Sequence, residues 1–71
     1  MAAKLISFDE STKHSAFVVD DFSDENDFNL LPPSIGEHGD GDLRYCYGGL
    51  GDICIDIATG DSYWLGSEGW V

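Results

Sequence analysis

Residues 53–65 read ICIDIATGDSYWL and carry the clearest fold signal in the chain. Apolar and polar side chains alternate up to Ile57, a turn containing Gly60 follows, and residues 62–65 are rich in aromatic and aliphatic side chains. This pattern predicts a β-hairpin in which glycine supplies the positive φ of the turn. We expect Tyr63 and Leu65 to share the face of the isoleucines, and Trp64 to lie on the opposite face.

A second alternating run, LRYCY at residues 43–47, precedes this hairpin and is joined to it by the glycine-rich residues 48–51. If that connection is symmetric, the two runs pair as antiparallel strands. Leu43, Tyr45 and Tyr47 then face Ile57, Ile55 and Ile53 on one buried side, with Cys46 opposite Cys54 and Arg44 opposite Asp56 on the other. Directly opposed cysteines lie within disulfide range, whereas a reducing cytosol favours free thiols, so both states stay open.

The N-terminal third predicts another hairpin, with strands at about 4–9 and 14–20 around a polar turn. Residues 20–42 are irregular. Ser23 could cap a short helix over residues 24–31 that ends before Pro32-Pro33, or the segment could be a solvated acidic loop. Residues 66–71 either fold back as an edge strand or trail from the sheet.

These elements predict one domain, residues 1–71, of the mainly-β class. We expect an antiparallel meander of about five strands with at most one short helix. A chain of 71 residues buries a modest core and is only marginally stable without additional support.

The net charge of −11 comes from 14 acidic residues against three basic ones. Direct binding to nucleic acid or to an anionic membrane is disfavoured, because both depend on basic side chains that neutralise phosphates. No apolar run is long enough for a membrane-spanning helix, and Asp9 comes too early for the core of a signal peptide. The sequence therefore predicts a cytoplasmic protein.

Acidic residues concentrate in two clusters, the first at residues 20–27 and the second at residues 37–42, and their mutual repulsion favours contact with a basic protein surface. Apolar side chains nearby could supply the desolvated centre that an interface needs. The predicted partner-contacting residues are Asp20, Asp21, Asp24, Glu25, Asp27, Glu37, Asp40, Asp42, Phe22, Phe28 and Trp64.

Patterns for metal binding or catalysis are weak. Neither acidic cluster has the ligand offsets of an EF-hand, and His14, His38 and the two cysteines lack zinc-site spacing. A nucleophilic Cys46 paired with His38 is conceivable, but nearby carboxylates would disfavour its thiolate. We expect no metal, no cofactor and no enzymatic activity.

In size, acidity and lack of catalytic motifs, the whole chain resembles small phage anti-defence proteins, including anti-CRISPR proteins that act as DNA mimics. Residues 52–63 are also similar to the strand, Thr-Gly turn and strand that end a class of bacterial immunity domains about twice as long. Both resemblances imply inhibition by binding. We therefore expect an acidic monomer or homodimer that occupies the basic groove of a CRISPR effector or nuclease. The alternatives are an immunity protein for one toxin and a structural or assembly subunit.

Overall fold

A computed structural model describes residues 3–71 and shows one five-stranded sheet. The strands are β1 (Ala3–Asp9), β2 (His14–Val19), β3 (Ile53–Asp56), β4 (Ser62–Gly66) and β5 (Gly69–Trp70), and they lie side by side in that order. A four-residue helix, α1 (Glu25–Phe28), and a 3₁₀ turn (Gly41–Leu43) lie between β2 and β3. The predicted mainly-β class is confirmed, although the sheet is mixed and not strictly antiparallel.

The first hairpin forms as predicted because its turn satisfies its own polar groups. Asp9 Oδ1 accepts hydrogen bonds from the backbone N–H and the hydroxyl of Ser11, at 2.9 and 2.8 Å. Lys13 adopts a left-handed φ of 64° at the end of the turn. A β-bulge between Leu5 and Ser7 then shifts the register of β1 against β2. Bulges of this kind let one strand change which side chains it presents to the core.

The pairing of β2 with β3 is parallel, with Phe17 beside Cys54 and Val19 beside Asp56. Parallel neighbours need a connection that crosses a face of the sheet. Residues 20–52 form this connection, and they cover one side of the sheet, which we call the inner face. The predicted neighbour of β3, a strand at residues 43–47, is absent from this position.

The prediction that residues 43–47 form a strand paired with residues 53–57 is wrong. Leu43 ends the 3₁₀ turn, and only Tyr47 and Gly48 make isolated bridges, to His38 and Ile35. A side chain at Gly48 would collide with the Ser34 carbonyl oxygen and a Leu65 methyl group, so this segment needs glycine for close approach. Leu43 and Cys46, three residues apart, turn inward, which is the spacing of a turn and not of a strand.

The hairpin of β3 and β4 is confirmed, and Gly60 has the expected positive φ of 80°. Its predicted inner face is wrong. Cys54 and Asp56 point inward and are buried, whereas Ile55 and Ile57 are exposed. Tyr63 and Leu65 therefore share a face with Cys54 and not with the isoleucines. The C-terminus does fold back, as the edge strand β5.

The core lies between the inner face and the covering connection. Phe17, Val19 and Cys54 from the sheet pack with Leu31 and Leu43 from the connection, and Ala3 completes this cluster. The Trp70 ring meets Phe17 edge to face, and its indole N–H donates to the Pro32 carbonyl oxygen at 2.8 Å. This bond fixes the edge strand to the end of the acidic segment.

Of the two alternatives for residues 20–31, the short helix is present but is shorter than residues 24–31. Asp24, not Ser23, is its N-cap, and its carboxylate accepts from the Asn26 N–H at 2.9 Å. The helix ends at Phe28, before the two prolines. Phe22 and Phe28 pack edge to face above the inner face, and Phe22 also stacks on Tyr63.

Cys46 and Cys54 are free thiols, and the register that placed them opposite one another does not occur. Cys54 is fully buried, and Cys46 is half-buried. Burial raises the pKa of the Cys54 thiol to about 12, and the Asp56 carboxylate adds to this shift. Because the thiolate is the reactive form, both the burial of Cys54 and its protonated state make this thiol unreactive.

We expect this buried thiol to make the fold sensitive to alkali. Folding raises the pKa of Cys54 from an ordinary value of 9.0 to about 12. The contribution of this thiol to the free energy of unfolding is therefore complete below pH 9.0 and is lost as pH rises toward about 12. The urea midpoint of the native protein should fall more steeply above pH 9.0 than that of Cys54→Val, which does not titrate. Equal alkaline slopes for the two proteins would contradict the assignment.

Candidate functional site

Six of the eight predicted contact acids are exposed in the covering connection: Asp20, Asp24, Glu25, Glu37, Asp40 and Asp42. Asp21 is half-buried and Asp27 is buried, with 8% of its surface exposed. The backbone N–H of Asp40 donates to the Leu30 carbonyl oxygen at 3.0 Å, so a residue of the second cluster lies beside the chain that follows the first. The two acidic clusters therefore belong to one layer of the molecule.

Several of these carboxylates also stabilise local structure. Asp21 Oδ1 accepts from the N–H and hydroxyl of Ser23, and Asp40 Oδ1 accepts from the Gly41 N–H at 2.8 Å. Short acidic side chains commonly cap turns in this way. Part of the acid content is thus explained by turn chemistry, while the charge of these groups remains at the surface.

The opposite side of the sheet, which we call the outer face, is almost free of acids. Residues paired side by side on neighbouring strands point to the same side of the sheet, so the register places Val18, Ile53, Ile55 and Trp64 on this face. Among residues 3–71, Asp9 at the tip of β1 is the only acid at an outer-face strand position. The negative charge is therefore distributed unevenly, on the covering layer and the loops.

A groove of about 600 Å³ opens between β1 and the loop that follows the second acidic cluster. Leu5 and Phe8 of β1 form one wall, and the loop from Tyr45 to Gly49 forms the other, with Lys13 and Ser15 between them. This volume lies within the usual range of ligand pockets, roughly 300–1,000 Å³. Tyr45 is 76% exposed and Tyr47 is 58% exposed, so the second wall presents two aromatic rings to solvent.

The acidic segment and the groove are joined by backbone hydrogen bonds. The Gly48 N–H donates to the Glu37 carbonyl oxygen at 2.9 Å, and the Gly39 N–H donates to the Cys46 carbonyl oxygen, also at 2.9 Å. His38 and Tyr47 pack with ring centroids 4.4 Å apart. These contacts join the segment of Glu37 to the loop that carries Tyr45 and Tyr47, and Asp40 and Asp42 lie on the chain between them. We call these five exposed residues the acidic-aromatic surface.

A buried carboxylate holds the groove together from below. Asp52 is fully buried, and its two oxygens accept from the Ser15 N–H at 2.9 Å and the Gly49 N–H at 2.8 Å. One donor belongs to β2 and the other to the loop, so Asp52 connects the two sides. Asp52 precedes a strand and looks like a turn residue in the sequence, so its structural role was missed.

Of the three predicted apolar contacts, the structure brings Phe22 and Phe28 together but places Trp64 on the opposite face of the sheet. Phe22 and Phe28 are half-buried in packing beneath the acidic layer, whereas Trp64 is 61% exposed on the outer face. A partner-contact role for these three residues stays a prediction. The exposed Tyr45 and Tyr47 were missed because an alternating run normally buries one side. The density of glycine around them, at positions 39, 41, 48, 49 and 51, was the available signal for irregular backbone.

The arrangement around Cys46 does not favour nucleophilic chemistry. Burial raises the pKa of its thiol, and the Asp52 carboxylate raises it further. The Nδ1 atom of His38 lies 3.0 Å from the Arg44 carbonyl oxygen, within hydrogen-bonding distance. Within the described part of the chain, no three His, Cys, Asp or Glu side chains are grouped so that they could hold a metal ion.

Comparison of the chain with protein-family models, curated proteins and solved structures gives no match. Across residues 3–71, no helix has the length and apolar character needed to cross a bilayer. The residues and their geometry therefore carry the functional inference.

Proposed function

We propose that the protein is an acidic binding protein that occupies a basic groove on a nucleic-acid-handling protein, such as a CRISPR effector or a nuclease, and inhibits it. The observation that carries this proposal is the acidic-aromatic surface, where exposed carboxylates adjoin an open groove with two exposed tyrosines. A groove that binds nucleic acid is lined with Lys and Arg, which a surface of this charge complements.

The carboxylates and the tyrosines have different roles in such a complex. Exposed ion pairs contribute about 0–1 kcal/mol each, so the acids mainly accelerate and orient association. Affinity requires a few side chains that lose their water completely, and tyrosine is enriched among them. Tyr45 and Tyr47 supply these contacts, and a tyrosine ring also accepts a cation on its face. Arg44 already lies over the Tyr45 ring, 4.7 Å from its centroid.

Binding suits this site better than catalysis. The groove contains a thiol whose pKa is raised, and its floor carries backbone N–H groups that are already bonded to Asp52. An oxyanion site needs N–H donors that point toward the substrate. No specific feature favours the two other functions, toxin immunity or a structural subunit, over this proposal.

Charge reversal at the acidic-aromatic surface tests the proposal. Purified CRISPR effectors and nucleases are mixed with a fluorescent DNA duplex, and displacement of the duplex by the protein is followed by anisotropy. We expect displacement to weaken as salt rises, because screening shortens the reach of the acidic field. Glu37→Lys should weaken inhibition by about tenfold, because it removes one attraction and adds one repulsion of up to about 1 kcal/mol each. Tyr47→Ala should weaken it by a similar factor, through loss of a desolvated contact.

Glu68→Lys is the matched control, because it makes the same change of charge at an exposed turn between β4 and β5. It should alter inhibition by less than about threefold. The proposal would be contradicted if the protein displaced DNA from none of the tested effectors and nucleases. Equal effects of Glu37→Lys and Glu68→Lys on inhibition would also contradict it. Tight binding to a toxin that does not handle nucleic acid would support the immunity alternative instead.

A further inference from the structure

The outer face of the sheet carries an apolar patch that this chain leaves uncovered, and polar residues at the β1 edge, among them Lys4, Ser7 and Asp9, border it. Trp64 and Ile57 are each 61% exposed, Val71 is 74% exposed, and Ile55 is exposed beside them. Val71 exchanges two backbone hydrogen bonds with Trp64, at 3.0 and 2.9 Å, so the C-terminus extends this surface. An apolar patch of this kind on a small protein marks an interaction site.

The size of the face fits a second copy of the same chain. Five strands at about 4.8 Å spacing and about five residues of about 3.3 Å each give a face of roughly 24 by 16 Å. Two such faces together cover roughly 800 Å², which is the size of a weak interface that forms only at high concentration. Sheets packed face to face at about 10 Å form the ordinary β-sandwich arrangement.

The charge distribution also favours a second copy of the chain on the outer face. Pairing through the outer face directs both acidic layers away from the interface, on opposite sides of the dimer. The molecule is at least 22 Å across in every direction, so the layers are separated by more than the Debye length of about 8 Å. Dimerisation through the acidic side would instead bring two chains of charge −11 into contact there.

Stability provides a third argument. The main buried cluster contains six residues, and the two cysteines are not bridged, so the fold has little internal support for a chain of 71 residues. Dimerisation is one of the established ways in which small domains obtain a larger core. We propose that the protein is a homodimer in which two sheets pack through their outer faces. This inference does not depend on the proposed inhibitory function.

Sedimentation velocity across a concentration series tests the dimer. We expect the native chain to sediment as a dimer at hundreds of micromolar and to dissociate on dilution. Trp64→Lys should weaken self-association by at least about tenfold, because it places a charge at the centre of the interface. Val71→Lys, at the terminal residue, should act in the same direction and changes no buried contact.

Tyr45→Lys is the control, because it replaces an exposed aromatic residue on the acidic side of the molecule. It should leave self-association unchanged. Sodium sulfate should strengthen self-association through an apolar interface, because sulfate favours apolar burial. Higher ionic strength should weaken the inhibitory contact, because it screens the acidic charges. The dimer and the inhibitory function can therefore be rejected independently. This inference would be overturned if the native protein sedimented as a 7.7 kDa monomer at all concentrations. It would also be overturned if both Trp64→Lys and Val71→Lys left the dimer intact.

Discussion

Replacement of Asp52 by alanine is expected to lower the free energy of unfolding by about 3–5 kcal/mol, because two N–H groups lose a charged acceptor. The Ser15 N–H is buried and the Gly49 N–H is partly buried, so water cannot fully replace the carboxylate. A chain of 71 residues has a total stability of roughly 4–11 kcal/mol. The variant should therefore lose a large part of the stability of the native protein.

The sign of this effect separates two physical explanations. Removing one negative charge from a chain of −11 reduces self-repulsion, so electrostatics alone predicts a gain of stability. Asp42→Ala removes the same charge at an exposed position and should change stability by no more than about 0.5 kcal/mol. Urea unfolding followed by circular dichroism measures both variants.

Asp52→Asn refines the test, because an amide keeps one acceptor oxygen but presents its own N–H₂ group to the second donor. Its stability should fall between those of the native protein and Asp52→Ala. Hydrogen exchange at the Ser15 and Gly49 amides should also be faster in both Asp52 variants. Equal stability of Asp52→Ala and Asp42→Ala would show that the buried carboxylate does not hold the loop.

Replacement of Phe17 by alanine should cost about 3–5 kcal/mol, because it leaves a large cavity in the centre of a small core. Phe17 is fully buried on the central part of the sheet and meets Trp70 with ring centroids 6.3 Å apart. Losing this contact should also loosen β5, which is a two-residue strand. Tryptophan fluorescence and circular dichroism during urea unfolding measure both effects.

Phe8→Ala is the matched control, since it removes the same atoms from the neighbouring strand on the same face. Phe8 lines the groove and is 48% exposed, so its loss should cost less than about 1.5 kcal/mol. Similar losses for the two variants would mean that the inner face is not packed as described.

The two faces of the sheet suggest how the proposals fit together. A dimer joined through its outer faces would present two acidic-aromatic surfaces in opposite directions. Such an arrangement could engage two basic sites when their separation allows both contacts, which raises the apparent affinity without new contacts. The variants at Trp64 and Glu37 separate these contributions, because one residue lies on each surface.

The sequence by itself determined the local elements of this protein. Both hairpins were predictable because a turn and its flanking strands are close in sequence, and their hydrogen bonds depend on nearby residues such as Asp9 and Gly60. The mainly-β class followed from the number of these elements. The acidic composition also indicated the charge of the surface, although not which carboxylates would cap turns.

Only the tertiary structure decided which faces became inner and outer. Alternation in residues 53–57 shows a strand but does not say which side is buried, and the buried side carries Asp56 instead of the isoleucines. The parallel pairing of β2 with β3 depends on the path of residues 20–52 across the sheet, which no local pattern encodes. Asp52 became a buried acceptor because that path brings Gly49 beside Ser15, two donors far apart in the chain.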